Sequence, residues 1–225
     1  RVAQDSYFSY GNSNIMRLEA AQVEMDTTNC YDRIIPYQAV ITSQRHGMDY
    51  KSAVFIAIVL KLLQHHIKVS TGTSEKYFTN KEERKIYGTG QGTGWSPPIW
   101  GNTNDVIIKA MYDNCPHIIH MNPDRTIISK RNTDSFVDDT AAGCNKNAIN
   151  SDTTVEIEIQ KLAQKYERYL FLSGGKLAIQ KCAFYFLTYK RASNWKMKLK
   201  TIQETKEVKI KLKEGFSEKT LSINR

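Results

Sequence analysis

Ser135-Phe136-Val137-Asp138-Asp139 is the stretch on which the reading of this chain turns. Thr126 to Ser129 and Ser135 to Val137 flank the two adjacent carboxylates in a strand, turn and strand arrangement. Like charges this close repel each other, so a hairpin that keeps both needs something to offset them. A divalent cation does so: Mg²⁺ prefers oxygen ligands, and phosphoryl transfer uses one or two such ions held by carboxylates. Asp26 follows the strand Leu18–Met25 and completes a set of three carboxylates if that strand lies beside the hairpin. Paired aspartates are also common on plain surfaces, and that reading stands beside the metal one.

Working outward, apolar residues recur at helical spacing from Ile34 to Arg45 and from Tyr50 to Gln64, with Gly47 between the two helices. Ile67–Ser70 and Tyr77–Thr79 read as a hairpin, with a further short strand near Lys85-Ile86-Tyr87. Gly88-Thr89-Gly90-Gln91-Gly92-Thr93-Gly94 has to be loop, because each glycine would weaken a helix by about 1 kcal/mol. Pro97 and Pro98 suit the first turn of a helix running to about Tyr112. Ser151-Asp152 caps an expected helix from Thr154 to Leu172, which Gly174-Gly175 ends. A strand from Ala183 to Tyr189 follows, then alternating segments around Lys196–Lys200 and Val208–Leu212. Helices and strands do not alternate regularly, so the expected class is α+β rather than doubly wound.

The composition, 40% hydrophobic and 24% charged, excludes a disordered chain. The longest apolar run, Ala53–Leu60, is far below the ~18 residues of a membrane span, so no membrane partner is expected. Arg1 to Asp5 leads into no apolar segment, so no signal peptide is expected; the missing initiator Met and the abrupt end at Arg225 suggest a piece of something longer. Cys30, Cys115, Cys144 and Cys182 are scattered without a CxxC pair, which argues against zinc and fits a reducing compartment; the expected location is intracellular, with nucleus and cytoplasm both open. Residues 176–225 hold thirteen Lys and Arg against four Asp and Glu, so the whole net charge of +9 falls there. Interleaved with Phe184, Tyr185, Phe186, Tyr189 and Trp195, this stretch suits a phosphate backbone; the alternative is a solvated lysine-rich surface.

Taken in order, these pieces resemble the reverse transcriptase family, most closely its non-LTR retrotransposon branch. Met25-Asp26 with Tyr31 five positions on is similar to the family's first motif, with Cys30-Tyr31-Asp32 in place of the commoner Ala-Phe-Asp. Gly90-Gln91-Gly92 with Ser96-Pro97 looks like the second, Phe136-Val137-Asp138-Asp139 the third, and Gly175 with Lys181, Phe184 and Phe186 the fourth. The resemblance covers residues 20–190. Nothing before residue 20 resembles the basic fingers segment, and the chain stops where a thumb should begin.

The resemblance implies a polymerase palm, an antiparallel sheet with flanking helices in a split βαβ-like arrangement. Residues 1–19 would be an upstream remnant of fingers or linker, 20–190 the palm with a finger insertion at about 48–88, and 191–225 the basic start of a primer-grip and thumb region. It implies RNA-directed DNA synthesis from an RNA template, a DNA primer and deoxynucleoside triphosphates, with two Mg²⁺ ions (or Mn²⁺) held by Asp26, Asp138 and Asp139. Tyr31 would gate against a ribose 2′-hydroxyl, the alternative being a core aromatic. Gln91 would contact the incoming nucleotide or template backbone, with Gly92 leaving room for it. Lys181 would protonate or attract the leaving pyrophosphate, the alternative being a solvated lysine at a strand entry. Lys196, Lys198 and Lys200 are the expected nucleic-acid contacts. Asp32 is read as a helix cap for the segment starting near Ile34. His65-His66 and His117 with His120 are read as ordinary histidines, and Trp95 and Trp100 as packing residues. Two rival functions stay open: an inactive remnant that only binds nucleic acid, and an RNA-dependent RNA polymerase, whose third motif usually has Gly where Val137 stands.

Overall fold

The computed structural model describes residues 11, 13, 15–79, 88–90, 93–122, 124, 126–149, 151–193, 196–201, 204, 208–214 and 217–222. The fold is mixed α and β, with helices and several small antiparallel sheets. Two compact units make up the chain. The first takes Arg1–Thr28, Ile107–Leu172 and Lys176–Arg225; the second takes Asn29–Val106 and Ser173–Gly175.

The first unit is built on a four-stranded sheet. Its strands are β1 (Ala20–Asp26), β6 (Thr133–Phe136), β7 (Asp139–Asn145) and β8 (Ala183–Leu187), in the order β6-β7-β1-β8 with every neighbour antiparallel. In β1 the odd residues Ala21, Val23 and Met25 are fully buried, and their partners in β7 are Cys144, Ala142 and Thr140. That face lies under helix α4 (Val155–Leu172), whose Ile159, Leu162, Ala163, Tyr166 and Leu170 recur at helical spacing and are all buried. The Tyr166 hydroxyl meets Thr140 Oγ1 at 2.9 Å, so these two buried hydroxyls satisfy each other.

Around the sheet, β4 (Ile118–Met121) and β5 (Ile127–Arg131) form a hairpin. The buried Asn145 holds it: its Nδ2 donates to Ile119 O at 2.9 Å and its Oδ1 accepts from Ile119 N at 3.3 Å, so one side chain imitates a strand partner. Gly143 allows the close approach, because a Cβ there would stand 2.8 Å from both Ala21 O and Ile118 Cδ1. The basic C-terminal stretch forms two ribbons, β9 (Tyr189–Arg191) with β10 (Met197–Leu199) and β11 (Lys209–Glu214) with β12 (Ser217–Ser222). Ile210 and Leu212 of β11 are buried, and Gln160 of α4 clamps the Lys211 backbone, donating to its O and accepting from its N, each at 2.8 Å.

In the second unit, helices α1 (Pro36–Arg45) and α2 (Tyr50–Leu62) pack as a pair. Asp49 caps α2 by accepting from Ser52 N at 3.1 Å. The hairpin of β2 (Gln64–Val69) and β3 (Gly72–Thr79) follows. Helix α3 (Ser96–Asn114) starts in this unit and continues into the first.

Several expectations need correction. Ile127–Ser129 belongs to β5, which pairs with β4, and the partner of β6 is instead β7, starting at Asp139 itself. Thr154, not Ser151-Asp152, caps α4: its Oγ1 accepts from Ile157 N at 3.3 Å, while the Ser151 hydroxyl turns to Asp152. Asp32 lies inside a short 3-10 turn, Cys30–Arg33, and the first helix is led by Ile35 with Pro36 at its first position and no side-chain cap. The expected strand 183–189 is broken at Thr188, where the chain changes partner from β1 to β10. Lys85–Tyr87 lies outside the described residues. None of the four cysteines forms a disulfide, and burial pushes the Cys144 thiol up to about 12.

Candidate catalytic carboxylates

Strand register brings the first carboxylates together. β1 pairs with β7 so that Asp26 sits directly opposite Asp139. Cross-strand partners project to the same face, with Cβ atoms about 4.5–5.5 Å apart. Since Met25 and Thr140 point under α4, Asp26 and Asp139 project from the opposite face. Asp138 occupies the turn between β6 and β7, and its carbonyl accepts from Thr27 N at 3.1 Å. That bond carries the β1–β7 pairing one step past Asp26, so all three aspartates gather at one end of the sheet.

The turn is strained. Val137 has φ of +58° while Asp138 does not share the positive value, the pattern of a hairpin turn whose first central position normally takes glycine. A β-branched residue in this region is an outlier costing about 1–3 kcal/mol. Phe136, opposite Asp139 on β6, is 69% exposed, an aromatic ring left in solvent beside the carboxylates.

Lys181 reaches the same place from the other side of β1. Its Nζ lies 3.3 Å from Asp26 Oδ2, an ion pair in which the lysine is 65% exposed and the aspartate 17%. Further along the face, Glu24 accepts from the Tyr185 hydroxyl at 3.3 Å and from Gln22 Nε2 at 3.4 Å. Burial first, and then the Glu24 charge, push the Tyr185 phenol above its ordinary range. The period-2 spacing Gln22, Glu24, Asp26 was readable in the sequence as a polar face; Tyr185 as its cross-strand companion needed the register.

Carboxylates opposite one another repel by about 1–3 kcal/mol in a surface-like dielectric, and here the Lys181 ammonium is the cation placed against them. Among the described residues, no three His, Cys, Asp or Glu side chains already close around a common point. The donor set is nonetheless the kind that Mg²⁺ or Mn²⁺ takes: hard carboxylate oxygens from three positions at one sheet end.

The second unit holds another part of the predicted set. Thr89 N donates to Tyr31 O at 2.8 Å and Gly88 N to Ile34 O at 3.0 Å, so the glycine loop begins against the turn that carries Tyr31. Gly88, at φ +107°, has no room for a side chain: a Cβ would lie 2.3 Å from Asp32 Cα. Ser96 Oγ donates to Gly90 O at 2.7 Å and Thr93 Oγ1 to Thr89 O at 3.0 Å, tying the loop to the start of α3. Residue types and spacing alone do not reveal these tasks of Gly88, Thr93 and Ser96. Tyr31 is half-buried, and Gln91 and Gly92 lie outside the described residues.

Lys198 stands opposite Lys190 on the β9–β10 ribbon, so these two project to the same face, while Lys196 and Lys200 flank β10 just outside it. Lys190 also pairs with Glu204, and Lys200 lies beside Glu19 and Glu156. No helix among the described residues is long and apolar enough to cross a membrane. No protein-family model matches the chain, and no curated protein matches it.

Proposed function

We propose that this chain is the palm of an RNA-directed DNA polymerase of retroelement type, adding deoxynucleotides to a primer 3′ end. The observation that carries the reading is the register that sets Asp26 opposite Asp139, with Asp138 bonded back to β1 through its carbonyl. The sheet order β6-β7-β1-β8 supports it too. Numbered along this sheet alone the strands run 2-3-1-4, all antiparallel, which is the order of a split βαβ fold and fits a polymerase palm.

In this mechanism Asp26, Asp138 and Asp139 would hold two divalent ions, which neutralise triphosphate charge and activate the primer 3′-hydroxyl. The chain's own residues do the rest. The strand pairing fixes Asp26 and Asp139 in advance, so little reorganisation is left for the reaction itself. Lys181, exposed and anchored by a short turn, supplies positive charge for the departing pyrophosphate. By the resemblance, the Tyr31 ring excludes a ribose 2′-hydroxyl, while Gln91 and Gly92 line the nucleotide. The basic stretch with Lys196, Lys198 and Lys200 suits the primer–template backbone by its charge.

Primer extension tests the reading. With Mg²⁺, an RNA template and a DNA primer, the chain should extend with deoxynucleotides in preference to ribonucleotides. Preference for ribonucleotides would favour an RNA polymerase, and binding without extension would leave a nucleic-acid-binding remnant.

A further inference from the structure

The Lys181–Asp26 pair is held by backbone. Thr28 N donates to Lys176 O at 2.7 Å, and Ala178 N donates to Asp26 O at 2.9 Å. Lys181 N then donates to Ala178 O at 2.8 Å, closing the short turn Ile179–Lys181. The segment that brings the ammonium is therefore laced to the end of the strand that carries the carboxylate. The two partners are unequal: the aspartate is sheltered, and the lysine stem is open to solvent and free to swing away.

We propose that Lys181 is the resident counter-ion of Asp26, a positioning residue that occupies Oδ2 until a divalent ion displaces it. The inference rests on the reading of Asp26 as a metal ligand. Two effects act in the same direction. The ammonium competes for an oxygen lone pair that an ion would use, and its charge repels a dication at the same carboxylate. Once displaced, the ammonium is left beside the site without its anion, ready for a phosphate oxygen. Ion affinity in the empty protein is thereby held down, and the ammonium is released in the step that loads the site.

The test is Mn²⁺ binding to the 225-residue chain without nucleotide or nucleic acid, monitored by loss of the free-ion electron paramagnetic resonance signal. Lys181→Met should tighten Mn²⁺ binding about two- to fivefold, the range expected for an exposed ion pair. Lys181→Arg keeps the cation and should bind no tighter than wild type. Unchanged or weaker binding in Lys181→Met, or tightening by Lys181→Arg equal to that of Lys181→Met, would overturn the proposal. Asp26→Asn distinguishes this failure from that of the metal reading. If it weakens Mn²⁺ binding tenfold or more while Lys181→Met changes nothing, the metal reading stands and the counter-ion proposal fails. If Asp26→Asn leaves binding untouched, the metal reading itself fails.

Discussion

Val137 combines a β-branched side chain with φ of +58° immediately before Asp138, a carboxylate the proposed chemistry needs. Such strain persists only where surrounding structure enforces it, here the β6–β7 pairing and the Thr27–Asp138 bond. Val137→Gly should relieve it and raise stability by about 1 kcal/mol, even after the entropy glycine adds to the unfolded chain. Urea unfolding checks this, and a destabilised variant would show that Val137 is relaxed. Tyr31 offers a second residue-scale prediction. Tyr31→Val should raise ribonucleotide incorporation relative to deoxynucleotide, by about tenfold if the ring supplies roughly 1.4 kcal/mol of discrimination. An unchanged ratio in single-nucleotide insertion would return Tyr31 to a packing role. Asp26, Asp138, Asp139 and Lys181 stand out in the sequence only through the resemblance of their order to a known set of motifs, and their meeting at one sheet end needed the strand register. Val137's strain does not stand out there, since side-chain type alone does not reveal φ.

Among the elements, long periodic helices were the most legible. The pattern Val155, Ile159, Leu162, Tyr166, Leu170 marks one face of α4 whatever surrounds it. β7 was not legible. Asp139-Thr140-Ala141-Ala142-Gly143-Cys144-Asn145 has little β-branched content, and it is strand because β1 and β6 pair with it on both sides. Its small residues have a use that only tertiary structure shows, letting the β4–β5 hairpin approach at Gly143. The cap of α4 was misplaced by two residues because Ser151, Asp152 and Thr154 are all good caps, and only geometry selects Thr154. Thr154→Ala should therefore cost about 1 kcal/mol, whereas Ser151→Ala should stay within ~0.5. Equal losses would return the cap to Ser151-Asp152. Gly88→Ala should cost about 3 kcal/mol by thermal or urea unfolding, since both φ and the Asp32 backbone oppose a Cβ. A neutral result would mean that the loop does not lie against Asp32.

For the molecule as a whole, charge was readable and its arrangement was not. The sequence located the excess of +9 in residues 176–225, and strand register adds that Lys190 and Lys198 face each other. Like charges facing each other are a cost unless an anion meets them, as Glu204 does for Lys190. Replacing Lys196, Lys198 and Lys200 with Gln should weaken binding to any duplex sequence. It should also flatten the log–log salt dependence by roughly 0.7–0.9 for each phosphate no longer neutralised, measured by fluorescence anisotropy over a salt series. An unmoved slope would make the ribbon a solvated surface. The central claim is that one end of the four-stranded sheet holds two divalent ions. Anomalous diffraction from crystals of this chain with Mn²⁺, nucleotide and primer–template measures it directly. Two peaks are expected, ~3.5–4 Å apart and within coordination distance of Asp26 and the Asp138-Asp139 pair. Crystals that bind nucleotide but show no peak there, or that place Asp26 and Asp139 on opposite faces of the sheet, would contradict it.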